Sequence, residues 1–239
     1  MYSSATVYIT EPRSFETPIT HGERMQRGRT PEGRERKRIT TPQGELAKLQ
    51  EQRARDEHET RQALMDSMLD VCGEFGYRQV TVETVYRRYG CSRSHFYRHF
   101  ASKADCFVAA YDRECERLNR LSFEPEPLER KRLQEALERL GSFVSGEPLR
   151  ARALFVEAHV AGGDVVEKRW EVLERLSLAL NKAGRETKSR HSPPPLAGEL
   201  MVNVIDQAVS SALINGEPAE FERAVPELTD LICQVYGKD

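Results

Sequence analysis

The strongest constraint on the fold is the segment 81–103, which reads TVETVYRRYGCSRSHFYRHFASK. It predicts two short helices joined by a tight turn at Gly90. Thr81 and Ser92 are of the residue types that cap helix N-termini, and a glycine permits the positive φ that a steep turn needs. Because a helix as short as the second one is not stable alone, its neighbours must hold it in place.

The second short helix has one apolar face and one polar face. Val82 and Val85 from the first helix, with Phe96 and Phe100, supply the apolar contacts. The exposed remainder is Arg93, Ser94, His95, Tyr97, Arg98 and His99. These side chains donate hydrogen bonds to phosphates and base edges, and a DNA major groove admits one such helix.

Helical periodicity continues on both sides of this pair. Leu64, Met68 and Phe75 form a stripe that Gly76 ends. After the pair, Ser102 and Asp105 form an S-x-x-D capping box that opens a long helix. The pattern breaks at residues 123–127, and the rest of the chain carries helical stripes without strand pairs or a glycine-rich nucleotide loop.

These patterns predict an all-α chain. We expect a disordered, basic N-terminal extension with a polar helical lead-in over residues 1–55, and a three-helix DNA-binding domain over residues 56–122. Residues 123–239 are expected to form a helical ligand-binding and dimerisation domain.

Charge is distributed unevenly, although the net charge is only −2. Residues 24–38 hold seven Lys or Arg and two acids, whereas residues 193–239 hold eight acids and two basic residues. Blocks of opposite sign indicate that one part of the chain meets a polyanion. No apolar run reaches the roughly 18 residues of a membrane span, and no export signal is apparent, so a cytoplasmic, nucleoid-associated protein without a membrane partner is expected.

The five cysteines, at positions 72, 91, 106, 115 and 233, lack C-x-x-C spacing. Reduced, mostly buried thiols are therefore expected, without a metal site. Neither catalytic residues nor a cofactor-binding loop can be assigned, which argues against an enzyme.

Residues 81–103 resemble the DNA-binding signature of the TetR family of transcriptional regulators. The matching positions are Thr81, Val85, Gly90, Ser92, Phe96, Tyr97, His99, Phe100, Ser102 and Lys103. The resemblance implies a homodimer that reads a palindromic double-stranded operator, and a small-molecule effector, with most relatives acting as repressors.

The resemblance also implies a role for each side chain. Thr81, Tyr97, His99 and Lys103 would contact backbone phosphates. The remaining predicted contacts, to bases or nearby phosphates, are Ser92, Arg93, Ser94, His95 and Arg98. The chain departs from the family pattern at Tyr86, Ser94 and His95, which implies altered helix packing and an unusual operator preference.

Several alternatives stay open. The basic segment 24–38 fits a DNA-tracking arm or a solvated tail. His159 and Trp170 fit a ligand pocket or ordinary core and surface positions. The apolar faces of the last two helices, with Val204, Ala208, Val209, Ser211, Ala212, Leu228 and Ile232, fit a dimer interface or the intrachain core.

Two functional alternatives also remain. One is a ligand-independent DNA organiser whose second domain is filled, and the other is an all-helical enzyme. A cavity in the second domain would argue against the organiser.

Overall fold

A computed structural model describes residues 42–122, 128–186 and 193–236. The predicted basic segment 24–38 and the predicted break at 123–127 lie outside these residues. The helices are α1 (Pro42–Phe75), α2 (Val82–Tyr89), α3 (Arg93–His99), α4 (Lys103–Ser122), α5 (Arg130–Gly146), α6 (Pro148–Arg152), α7 (Ala158–Val160), α8 (Gly163–Glu186), α9 (Ala197–Ile214) and α10 (Ala219–Val235). A π-helical turn (Ala153–Glu157) joins α6 to α7.

The described residues form helices and connections without a strand, so the predicted all-α class is confirmed. The chain divides into two units, residues 1–45 and residues 46–239. In the first unit only the opening turn of α1 is described. Within the second unit, α1 is exposed as far as residue 59 and is increasingly buried from Leu64 onwards.

One continuous hydrophobic core runs through residues 64–236 of the second unit. Leu64, Met68 and Phe107 lie in its N-terminal part, while Phe221 and Ile232 lie in its C-terminal part, and all five are nearly inaccessible to solvent. Removing a large apolar side chain from water contributes about 1.5–3 kcal/mol. This single core includes residues on both sides of the predicted domain boundary near residue 123. The boundary itself stays a prediction.

The packing of α9 and α10 distinguishes between a dimer interface and the intrachain core for several of their residues. α10 packs against α5 and α9, and it buries Leu228 and Ile232 inside the chain. Val209 and Ala212 of α9 are buried as well, so the intrachain-core interpretation is right for these four residues. The outer face of α9 is different: Leu200 and Val204 are exposed there, beside the exposed Trp170 of α8.

The π-helical turn was not predicted, because the sequence pattern around it is that of an ordinary helix. The turn places Leu154 and Phe155 toward α4, α8 and α9, and buries Glu157. Wide turns of this kind occur mostly at functional positions. Here the turn connects the C-terminal helices to the beginning of the segment that carries α2 and α3.

None of the helices in the described ranges combines the length and the apolar character needed to cross a membrane.

Candidate nucleic-acid interface

The start and end of α2 are fixed by local hydrogen bonds. The Thr84 amide donates to Thr81 Oγ1 over 3.2 Å, and the Thr81 amide donates back to Thr84 Oγ1 over 3.4 Å. At the other end Gly90 has a φ of 86°, and its amide donates to the carbonyls of Tyr86 and Arg87. The predicted N-cap and glycine turn are both confirmed, and together they set the direction in which α3 leaves.

α3 is capped by Ser92 and held by two phenylalanines. The His95 amide donates to Ser92 Oγ over 3.3 Å, as the sequence predicts for an N-cap. Phe96 and Phe100 are buried with their ring centroids 5.7 Å apart. This anchorage fixes which side of the short helix faces outward.

The outward-facing side of α3 carries residues that the sequence predicts to contact DNA. Arg93, Ser94, His95 and Arg98 are exposed, and Tyr97 is 45% exposed. Thr81 and Ser92 are exposed as well. The Arg93 guanidinium carbon lies 5.5 Å from the centroid of the Tyr97 ring, which is within the range of a cation–π contact. The structure thus brings these donors together on one surface.

The positive charges of α2 and α3 differ in how they are compensated. On α2, Arg87 pairs with Glu83 at 2.6 Å and Arg88 pairs with Glu74 at 2.5 Å. On α3, Arg93 and Arg98 have no carboxylate partner among the described residues. The charges of Arg87 and Arg88 are therefore compensated, and the uncompensated positive charge of the two helices lies on α3.

His99 is half-buried at the C-terminal end of α3. Its backbone carbonyl accepts a hydrogen bond of 2.9 Å from Arg61 of α1. Desolvation lowers the pKa of His99 below its usual value, and the charges of Arg61, Arg98 and His95 act in the same direction. Glu57 partly opposes this shift. The His99 imidazole is therefore mainly neutral near pH 7 in the free protein.

Lys103 has partners that the sequence did not reveal. Its ammonium group donates to the carbonyls of Tyr77 and Val80, both at 2.9 Å, and lies 4.1 Å from the centroid of the Tyr77 ring. Burial lowers the pKa of Lys103. In the free protein this lysine ties the N-terminus of α4 to the connection before α2, and so helps to place Thr81.

A cavity opens in the C-terminal part of the chain, between α4, α5, α8, α9 and the π-helical turn. Its volume is about 120 Å³, and its wall is almost entirely apolar, with Leu137, Phe155, Val172 and Val202 among the lining residues. The charged exceptions are Arg169 and Asp206, which sequence reasoning missed. Neither residue stands out in the sequence, because α8 carries many other charged side chains and α9 also carries Glu199.

His159 and Trp170 do not line this cavity. They lie instead along an open groove between α8 and α9, together with Leu200 and Val204. His159 still reaches the cavity wall indirectly, because its Nε2 lies 2.7 Å from the Arg169 guanidinium.

The cysteines have the predicted structural character. Within the described ranges none of the five forms a disulfide, and only Cys91 is not buried. Burial raises the pKa of Cys72 and of Cys115 to about 12, so both stay protonated at neutral pH. The described residues contain no cluster of metal-ligating side chains.

A capped pair of short helices joined by a left-handed glycine, with a donor-rich outer face on the second helix, defines a helix-turn-helix DNA-binding protein. The profile of the family described as "Bacterial regulatory proteins, tetR family" matches residues 64–110, which span the end of α1, the helix pair and the start of α4. Residues 64–110 are therefore similar to the DNA-binding domain of the TetR family of bacterial regulatory proteins.

Relatives of known sequence support this assignment. A helix-turn-helix-type transcriptional regulator of Mycobacterium tuberculosis is 28% identical over 198 residues, which cover 78% of this chain and 98% of the relative. A regulator with the same description from Mycobacterium bovis matches to the same extent.

Solved structures share the fold. The fatty acid degradation regulator FadR from Bacillus halodurans superposes with a TM-score of 0.61 at 15% identity, covering 71% of this chain and 96% of that one. SmeT, the repressor of the Stenotrophomonas maltophilia multidrug efflux pump SmeDEF, gives 0.60 at 19% identity, covering 75% and 91%. FadR from Bacillus subtilis, solved in complex with stearoyl-CoA, gives 0.61 at 18% identity, covering 74% and 98%.

Proposed function

We propose that the chain is a homodimeric repressor that reads a palindromic operator through α3 and leaves it when a small molecule fills the C-terminal cavity. The observation that carries the proposal is the outer face of α3, where Arg93, Tyr97 and Arg98 are exposed and lack carboxylate partners within the described ranges. Phosphate neutralisation by such residues supplies most of the affinity, and base contacts supply the specificity.

The proposed contacts follow the position of each side chain on this surface. Arg93, Ser94 and His95 form the first turn of α3 and would read base edges. Tyr97, Arg98 and His99, with Thr81 and Ser92 at the two N-caps, would contact the backbone. The Lys103 ammonium already donates to two carbonyls, so it would contact a phosphate only through its remaining N–H group.

The dimer is supported by the outer face of α8 and α9. Trp170 is 62% exposed, Leu200 55% and Val204 37%, and all three lie along one groove. An exposed apolar surface of this kind commonly marks a protein interface. A two-fold dimer doubles the contacts with a palindrome. The interface we propose therefore uses the outer face of α9, with α8, and not the buried residues of α10.

Release by a ligand is supported by the cavity, since a ligand-independent organiser would need no enclosed apolar space. Two of the solved structures that share the fold come from proteins described by their ligand or their target: FadR with stearoyl-CoA, and SmeT as the repressor of an efflux pump. We propose a response of the same general type here, working in the cytoplasm at the nucleoid.

The test is operator selection from a pool of random duplexes, followed by affinity measurements on the enriched sequence. We expect a palindrome bound by two chains. Arg93→Ala and His95→Ala should change which sequence is preferred, with losses of roughly ten- to a hundredfold on the original operator. His99→Ala should weaken binding to all sequences by a similar factor.

Arg87→Ala is the matched control, because this exposed arginine already pairs with Glu83. Its effect should be small. Lys103→Ala is less suitable, since it also removes two hydrogen bonds from the connection before α2. If no sequence is enriched, or if Arg93→Ala behaves like Arg87→Ala, the proposed interface is wrong.

Operator affinity should also depend on pH through His99. Desolvation lowers the pKa of His99 in the free protein, and a neighbouring phosphate would raise it on binding. A group whose pKa rises on binding takes up a proton, so affinity should increase as the pH falls from about 7.5 to about 6. His99→Gln should flatten this dependence, whereas His159→Gln, on α7, should leave it in place. A steeper dependence in the His99→Gln protein would contradict the phosphate contact.

A further inference from the structure

The cavity is large enough for a small ligand. Its volume is about 120 Å³, and an apolar cavity of roughly 150 Å³ can hold a benzene molecule. A ligand of about six carbons therefore matches a space of this size.

Two buried charges face this apolar space. Arg169 is 5% exposed and Asp206 is 8% exposed, and both line the cavity. The Arg169 guanidinium donates to Asp206 Oδ2 over 2.5 Å. The pair is therefore electrically compensated, and its combined charge is close to zero.

Asp206 Oδ1, by contrast, has no hydrogen-bond partner among the described residues, although it is buried. A buried acceptor of this kind carries a desolvation penalty that a hydrogen-bond donor would remove. Asp206 lines the cavity, so a ligand there can supply the donor once the carboxylate turns Oδ1 toward the open space.

His159 lies beside this pair. Its Nε2 lies 2.7 Å from the Arg169 guanidinium, which can only donate, and 3.5 Å from Asp206 Oδ2, so the closer contact favours the neutral imidazole as an acceptor. Desolvation, with the charge of Arg169, lowers the pKa of His159, and Asp206 partly opposes this shift. A neutral imidazole adds no charge that would attract an anionic ligand.

We propose that the cavity binds a neutral, mainly apolar molecule whose hydroxyl group donates a hydrogen bond to Asp206 Oδ1. This inference rests on the proposed function only in treating the cavity as a ligand site. A carboxylate would bring a second negative charge beside Asp206, and an ammonium would bring a second positive charge beside Arg169. An amide would leave its carbonyl against the apolar wall.

The experiment compares ligands of equal length that differ only at the polar end: hexan-1-ol, 1-methoxypentane, hexanoate and hexylammonium. Binding to the DNA-free protein is measured by calorimetry. We expect hexan-1-ol to bind roughly ten- to a hundredfold more tightly than the ether, which accepts but cannot donate, because hydrogen bonds to charged groups have this effect. Both charged ligands should bind more weakly than the alcohol.

Asp206→Asn should reverse the preference. This change removes the negative charge and leaves Arg169 uncompensated, so hexanoate should become the tightest ligand of the four. Asp230→Asn is the control, because this carboxylate pairs with Arg130 on the surface and does not line the cavity. The control should keep the order of the unmodified protein.

Equal binding of the alcohol and the ether to the unmodified protein, or tightest binding of hexanoate to it, would overturn the inference even if Asp206→Asn fails to fold. The proposed function is tested separately by adding hexan-1-ol to the operator complex. If the alcohol binds with the expected preference and the operator stays bound, release by this ligand class is wrong and the assignment of the site stands.

Discussion

Replacing Gly73 by alanine is expected to lower the stability of the protein by about 3 kcal/mol, at the upper end of the range for overpacked sites. A Cβ at this position would lie 2.0 Å from the Leu149 carbonyl oxygen and 2.6 Å from its carbonyl carbon. Both atoms belong to the backbone of α6, so no side-chain rotation can relieve the clash. Either α1, which carries Gly73, or α6 must move.

Heat unfolding measures this effect. For a chain of this size, about 3 kcal/mol corresponds to a fall in Tm of roughly 6–12 °C. Gly146→Ala is the matched control, because that glycine lies in the last turn of α5 and nothing comes within 4 Å of an added Cβ. Alanine is the better helix former, so the control should be neutral or slightly stabilised. Equal Tm values for the two variants would show that α1 and α6 are not in close contact.

Glu114→Ala is expected to have the second large effect, a loss of about 2–3 kcal/mol. The Glu114 side chain is only 3% exposed, and its two oxygens accept from Arg113 at 2.9 Å and from Arg117 at 2.6 Å. Without the carboxylate, Arg113 (22% exposed) and Arg117 (40% exposed) lose the buried partner that they share. The expected loss of stability is no larger because Arg113 still pairs with Asp66 and Arg117 still pairs with Glu147.

Denaturant unfolding at neutral pH checks this value, with Glu116→Ala as the control. Glu116 lies on the same helix, carries the same charge and is exposed, so its removal should change the free energy of unfolding by roughly 0.5 kcal/mol or less. Glu114→Gln should fall between the two, because the amide fills the space without balancing either charge. A Glu114→Ala protein as stable as the control would mean that the arginines do not depend on this carboxylate.

The local features of the interface could be predicted because they depend on near neighbours in sequence. Thr81 caps α2 through Thr84, and Ser92 caps α3 through the His95 amide. Ser102 accepts from the Asp105 amide over 3.0 Å at the start of α4. The amphipathic stripe likewise indicated the buried positions Phe96 and Phe100. Such patterns need only helical geometry and the preferences of capping residues.

The features that depend on distant parts of the chain could not be predicted. The Lys103 ammonium donates to carbonyls 23 and 26 residues away. Every residue has a backbone carbonyl, so the sequence does not show which carbonyls this lysine reaches. The same holds for Arg169 and Asp206, which are separated by 37 residues. The burial of Leu228 and Ile232 depended on which neighbour α10 packs against, and an apolar stripe does not specify that neighbour. The DNA contacts of individual side chains remain predictions.

The π-helical turn has a mechanical implication. Leu154 and Phe155 form part of the cavity wall, and in the same turn the Glu157 carboxylate accepts a 2.9 Å hydrogen bond from the Tyr77 amide. Tyr77 is also the residue whose carbonyl Lys103 holds. A rigid shift of this single turn, caused by any occupant that pushes on Phe155, must therefore drag or break the attachment at Tyr77, five residues before α2 begins. The π-helical turn is thus a direct structural link between the cavity wall and the connection that precedes α2.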